Sequence, residues 1–118
     1  MPDSIAVPVL WEIAAEILRW AAQDCHEPAP RSIKIVATTR DAAHALVWPG
    51  TRSGNEPVYF AVAEGDFHLP GRGPTRHGVW AGMFISHPPA RITAYTLRPE
   101  ADIPDFDLSL LGQVYVLD

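Results

Sequence analysis

The segment PVLWEIAAEILRWAAQ, residues 8–23, decides how the rest of the chain is read. Polar residues Glu12, Glu16, Arg19 and Gln23 recur three to four apart, while Leu10, Ile13, Ala14, Ile17, Leu18 and Ala21 fill the opposite side. This is the period of an amphipathic α-helix, whose apolar stripe must be covered by a second layer. Pro8 suits the first turn, where its missing N–H leaves no helical bond unmade, and Glu16 can reach Arg19 one turn later. Trp11 and Trp20 fall near the two margins of the stripe and are read as covering the edges of the core. The helix is expected over 8–24.

The segments that follow supply the covering layer. The run His26-Glu-Pro-Ala-Pro-Arg31 ends the helix, because a residue before proline is pushed out of the helical region. Residues 32–39 are β-branched and partly alternating, as in a strand with one buried face. Residues 41–46 have the composition of a short helix, with Thr39 as its cap and Asp41 in its first turn. A Pro, Gly, Ser and Asn-rich loop at 49–57 precedes strands at 58–63 and 79–86. After the turn His87-Pro-Pro-Ala90, residues 91–97 alternate cleanly as an antiparallel partner, and a short strand is expected around 113–116. One helix followed by about four antiparallel strands defines an α+β domain over residues 1–118. Its N-terminal helix is laid across one face of a curved sheet formed by the region 31–117.

Composition narrows the class. At 118 residues, with 47% hydrophobic and 19% charged residues, the chain fits one domain with one modest core. A net charge of −5 disfavours nucleic acid, whose phosphates need a basic face. The tail beyond Glu100 carries Asp102, Asp105, Asp107 and Asp118 with no Lys or Arg, and is read as a solvated edge. A lone Cys25 excludes an intramolecular disulfide and points to a reducing compartment. There is no secretory-type N-terminal pattern and no run long enough to span a membrane, so a cytoplasmic location and no membrane partner are expected.

Between the strands at 58–63 and 79–86 lies EGDFHLPGRGPTRHGVWAG, residues 64–82, rich in glycine, histidine and arginine. Its fifteen or so central residues exceed the usual hairpin loop, which reads as a functional excursion or a flap, with 68–78 as the free loop. Asp66, His68, Arg72, Arg76, His77 and Trp80 are its candidate ligand-binding residues. Asp66, His68, His77 and His87 offer imidazole and carboxylate ligands that suit zinc. No HExxH or CxxC spacing joins them, so no metal and no cofactor are expected. A histidine oriented by Asp66 or Glu64 can act as a general base, yet the sequence supplies no nucleophile for it to activate. Cys25, at a helix C-terminus, has its thiolate disfavoured, and no catalytic residue is assigned. The segment 71–77, with Arg72 and Arg76, can clasp an anion, although it matches neither the P-loop nor the dinucleotide fingerprint. Trp80 is read as packing on the sheet in preference to a ligand platform.

In layout the chain is similar to cystatin-like and PepSY-like proteins, in which an N-terminal helix packs across an antiparallel sheet. The segments IVATTRDAA, EPVYFAVAEGDF, PTRHGVWAGMFI and LSLLGQVYVL resemble small uncharacterised actinobacterial proteins over residues 31–117. The eight arginines to one lysine agree with a high-GC source. Where such proteins tend to carry an Asp-X-X-Thr-Gly turn, this chain has Ser86-His-Pro-Pro-Ala90. The resemblance implies the layout and brings no catalytic residue with it.

Two functional expectations follow. The first is a non-enzymatic interaction, inhibitory or immunity-type module that takes a protein or peptide partner at a sheet edge, at the 64–82 loop, or at both. The alternative is a small-molecule or anion-binding protein, catalytic or not, with its site between helix and sheet and the 64–82 residues at the mouth. That alternative needs a pocket of several hundred cubic ångströms and fails where Leu10, Ile17 and Leu18 fill the space.

Overall fold

The amphipathic segment forms helix α1, Val7–Gln23, in a computed structural model that describes residues 5–47, 54, 56–71, 73–100 and 107–117. No side chain caps its start, and a proline stands in its first turn. At its end the N–H groups of Asp24 and Cys25 both donate to the Trp20 carbonyl. His26 then adopts a left-handed conformation, φ 54°, which lets the Glu27 N–H return to the carbonyl of Ala21 at 2.7 Å. Left-handed backbone is unusual for a residue other than glycine, though histidine tolerates it better than most.

Five antiparallel strands follow. They are β1 (Ser32–Thr39), β2 (Pro57–Leu69), β3 (Arg76–Ser86), β4 (Arg91–Arg98) and β5 (Val114–Leu117), in the spatial order β4-β3-β2-β1-β5. Helix α2, Arg40–Val47, joins β1 to β2, and the Thr39 hydroxyl accepts from the Ala42 N–H at 3.2 Å, as a cap should. A 3-10 turn at Leu108–Leu110 precedes β5, with the Asp107 carboxylate accepting from the Ser109 N–H.

The sheet is apolar on both faces. On one, Ile13, Ile17, Trp20 and Ala21 of α1 pack against Ile33, Ile35, Ala61, Ala63, Ala81, Met83 and Ile85. On the other, Ala43 of α2 and Leu108 cover Val36, Val58, Phe60, Val62, Trp80 and Phe84. Phe60 and Phe84 are direct cross-strand partners, with ring centroids 5.4 Å apart. Trp80 packs over Gly82, where an added Cβ would come within 2.8 Å of the indole. The glycine is what allows the ring to sit that low.

Two expectations are corrected. The two tryptophans do not play equal parts: Trp20 is 4% exposed and central to the helix-side core, whereas Trp11 is 66% exposed and Leu18 42%. The apolar stripe is therefore narrower than the periodicity implies, because the sheet beneath it does not extend under every residue. The loop expected at 68–78 is largely strand: pairing continues through Phe67↔Gly78, His68↔His77 and Leu69↔Arg76, leaving only 70–75 as the connection.

Ile17 is fully buried and Leu18, its neighbour in sequence, is not. Ile17→Ala is expected to cost about 2–5 kcal/mol in urea unfolding, and Leu18→Ala no more than about 1 kcal/mol. Equal losses would mean that the helix is rotated from this position.

Candidate functional site

The far end of the β2–β3 hairpin is shaped by an irregularity. Glu64 pairs with Trp80 but Phe67 pairs with Gly78, so Gly65 and Asp66 together stand opposite Val79 in a β-bulge. The linker after α1 holds this bulge. The Glu27 carboxylate accepts from the Asp66 N–H at 2.7 Å and from the Ala29 N–H at 3.0 Å, and the His68 N–H donates to the Cys25 carbonyl at 2.8 Å. A side chain at Gly65 would come within 3.1 Å of Glu27, so the bulge glycine admits the carboxylate.

These bonds set the side chains. Because the His68 N–H points away from β3, His68 and His77 form a non-hydrogen-bonded cross-strand pair, the kind in which side chains lie closest. Their rings stack with centroids 4.6 Å apart. Phe67 turns inward against Trp20, while Asp66 and His68 on either side of it turn outward. The Asp66 Oδ1 atom then lies 2.6 Å from His77 Nε2 and 3.3 Å from His68 Nε2. Hydrogen bonds from His77 and then His68 hold the Asp66 carboxyl below the usual carboxylate range. Each of these three residues offers one ligand atom, and the three atoms lie within 4.8 Å of one another.

The remaining candidates are placed elsewhere. His87, the fourth imidazole considered with this set, sits at the opposite end of β3 and contacts the Glu12 carboxylate of α1. Arg76 leans onto β4, with its guanidinium 5.9 Å from the Tyr95 ring and Nη2 3.4 Å from the Tyr95 hydroxyl. Adjacent residues of a strand face opposite ways, so Arg76 does not join His77. Arg72 lies outside the described residues. Trp80 is core, 6.0 Å from the Arg98 guanidinium, and floors a cleft of about 390 Å³ with Lys34, Glu64, Asp107 and Ser109. That cleft is on the face away from α1. Between α1 and the sheet, Ile13, Ile17 and Trp20 fill the space.

A second surface was not singled out by the sequence. Trp11 and Leu18 of α1, Pro30 and Ile33, and Val116 and Leu117 of β5 line an apolar groove of about 520 Å³. Val116 is 56% exposed. Among the described residues β5 is hydrogen-bonded in the sheet on one side only, to β1. The signal in the sequence was the unbroken apolar run Val114-Tyr-Val-Leu117, with no Lys, Pro or Gly to protect an edge.

No protein-family model, curated protein or solved structure matches this chain. Among the described residues no helix is long and apolar enough to cross a membrane.

Cys25 is buried in the helix-side core, and burial, reinforced by the charge of Asp24, pushes its thiol up to about 11. A free thiol ionises near about 8.5, so over the interval between, the folded chain keeps a proton that the unfolded chain has released. Stability should be unaffected by this group below that interval and fall as pH rises through it. Cys25→Ala should flatten the alkaline limb of a stability–pH curve, and a thiol reagent at pH about 8 should modify the native parent only after denaturation.

Proposed function

We propose that the chain is a non-enzymatic interaction module that receives an extended segment of a partner protein along β5. The observation that carries this reading is the open edge of β5 lying beside the exposed groove of Trp11, Leu18 and Leu117. An edge strand offers unpaired N–H and C=O groups that only another strand satisfies in series, and the adjoining groove accepts alternate apolar side chains from it. The other edge is less inviting. β4 begins and ends with Arg91 and Arg98, and its pairing with β3 is irregular at Phe84/Ile85. Charge chooses among occupants: at −5, two copies of this chain repel, whereas a segment carrying Lys or Arg is attracted.

An anion site at the hairpin is the weaker reading. Asp66 already places a carboxylate between the two imidazoles, and Arg76 is engaged on Tyr95. A second negative group there meets repulsion before it meets a donor.

Peptides selected by display against the purified chain should alternate apolar residues and carry Lys or Arg, and should shift the amide resonances of Tyr115 and Val116. Val116→Lys and Trp11→Ala, each with an unchanged circular dichroism spectrum, should weaken such a peptide at least about tenfold. Selected peptides that shift only resonances elsewhere would remove the reading. A dimer in light scattering that Val116→Lys dissolves would assign the edge to a second copy and overturn the proposed partner.

A further inference from the structure

We infer that Asp66, His68 and His77 form a binding site for a divalent first-row transition-metal ion of the zinc type. Two imidazoles and one carboxylate are the ligand set of open three-residue sites, in which solvent takes the fourth position. The same set disfavours magnesium and calcium, which take oxygen ligands.

The distances suit the ion. Ligand atoms bound at about 2.0–2.1 Å to a tetrahedral centre lie about 3.3 Å apart. His68 Nε2 stands 3.3 Å from Asp66 Oδ1. His77 Nε2, at 2.6 Å from that oxygen, is drawn in by a hydrogen bond and needs to open by a fraction of an ångström. Both ring nitrogens that converge on the oxygen are the Nε2 atoms, so the two histidines present the same edge to one point. An ion placed there exchanges the two N–H···O bonds for two N–metal bonds and one O–metal bond, each neutral imidazole then carrying its proton on Nδ1.

The backbone that carries these ligands is fixed from behind. Asp66 comes from the bulge, whose N–H is held by Glu27, and His68 is tied to the Cys25 carbonyl. His77 is held between the flanking cross-strand pairs Phe67↔Gly78 and Leu69↔Arg76. A three-ligand site on two paired strands is more rigid than one on a loop, and rigidity at the ligand backbone is what sustains affinity in a site this exposed. This metal site is independent of the groove at β5, and neither reading depends on the other.

The test uses the full chain, stripped with a chelator and titrated with Zn²⁺ by calorimetry and with Co²⁺ by visible absorption. Saturable one-to-one binding of Zn²⁺, and visible d–d bands of low-coordinate Co²⁺, are expected. In the unaltered protein Zn²⁺ should shift the imidazole resonances of His68 and His77 and leave those of His87 in place, a readout that needs no variant. Asp66→Asn, His68→Gln and His77→Gln should each lower affinity by at least about tenfold, with His87→Gln unchanged. Absence of saturable binding, or an equal loss in His87→Gln, would falsify the site.

Discussion

Strands β2 and β3 are apolar on both faces, and the arrangement of everything else answers to that. A sheet with one wet face alternates in polarity, but Phe60 to Ala63 and Trp80 to Ile85 are buried without interruption. Such strands must lie at the centre of a sheet and be covered twice. The chain supplies one cover before the sheet, α1, and two small ones later, α2 and the turn at Leu108. β1 and β4 then flank the central pair, with their own burial confined largely to the inward positions.

Polarity returns where the covers run out. Past Glu64, β2 has no β1 beside it, because β1 begins at Ser32 opposite that residue, and the post-helix linker takes its place. There the outward side chains become Asp66, His68 and, across the pair, His77. Chemistry at this end thus follows from a mismatch in strand length: β2 runs 13 residues and β1 only 8, so the excess is braced on one side by a loop and left open on one face. At one edge of the sheet the four-residue β5 stops beside Trp11 and leaves that ring exposed.

Most of the fold was legible in residues whose pattern is local. The helix period at 8–23, the strand at 32–39 and the Thr39 cap depend on neighbours in sequence, and the structure has them where the pattern places them. What was not legible depended on distant partners. Residues 68–69 and 76–78 read as loop, since nothing local announces the cross-strand register, or the Cys25 carbonyl that takes the His68 N–H, which keep this segment extended. Periodicity put Trp11 and Trp20 on equal footing, but their burial is decided by how far the sheet reaches beneath each. Of the hairpin candidates, Asp66, His68 and His77 converge because of a cross-strand register that no single strand encodes, and Arg76 parts from them by the same alternation.

Strand β5 also has a place in the order of folding. β2, β3 and β4 are joined in sequence through short connections and can zip as neighbours, whereas Ile33 meets Leu117 only after nearly the whole chain has been closed into a loop. With four residues and, among the described residues, one neighbour, this strand is the least expensive part of the sheet to detach. The edge proposed to accept a foreign strand is therefore also the one whose detachment costs the fold least, and a partner seated there would close that seam.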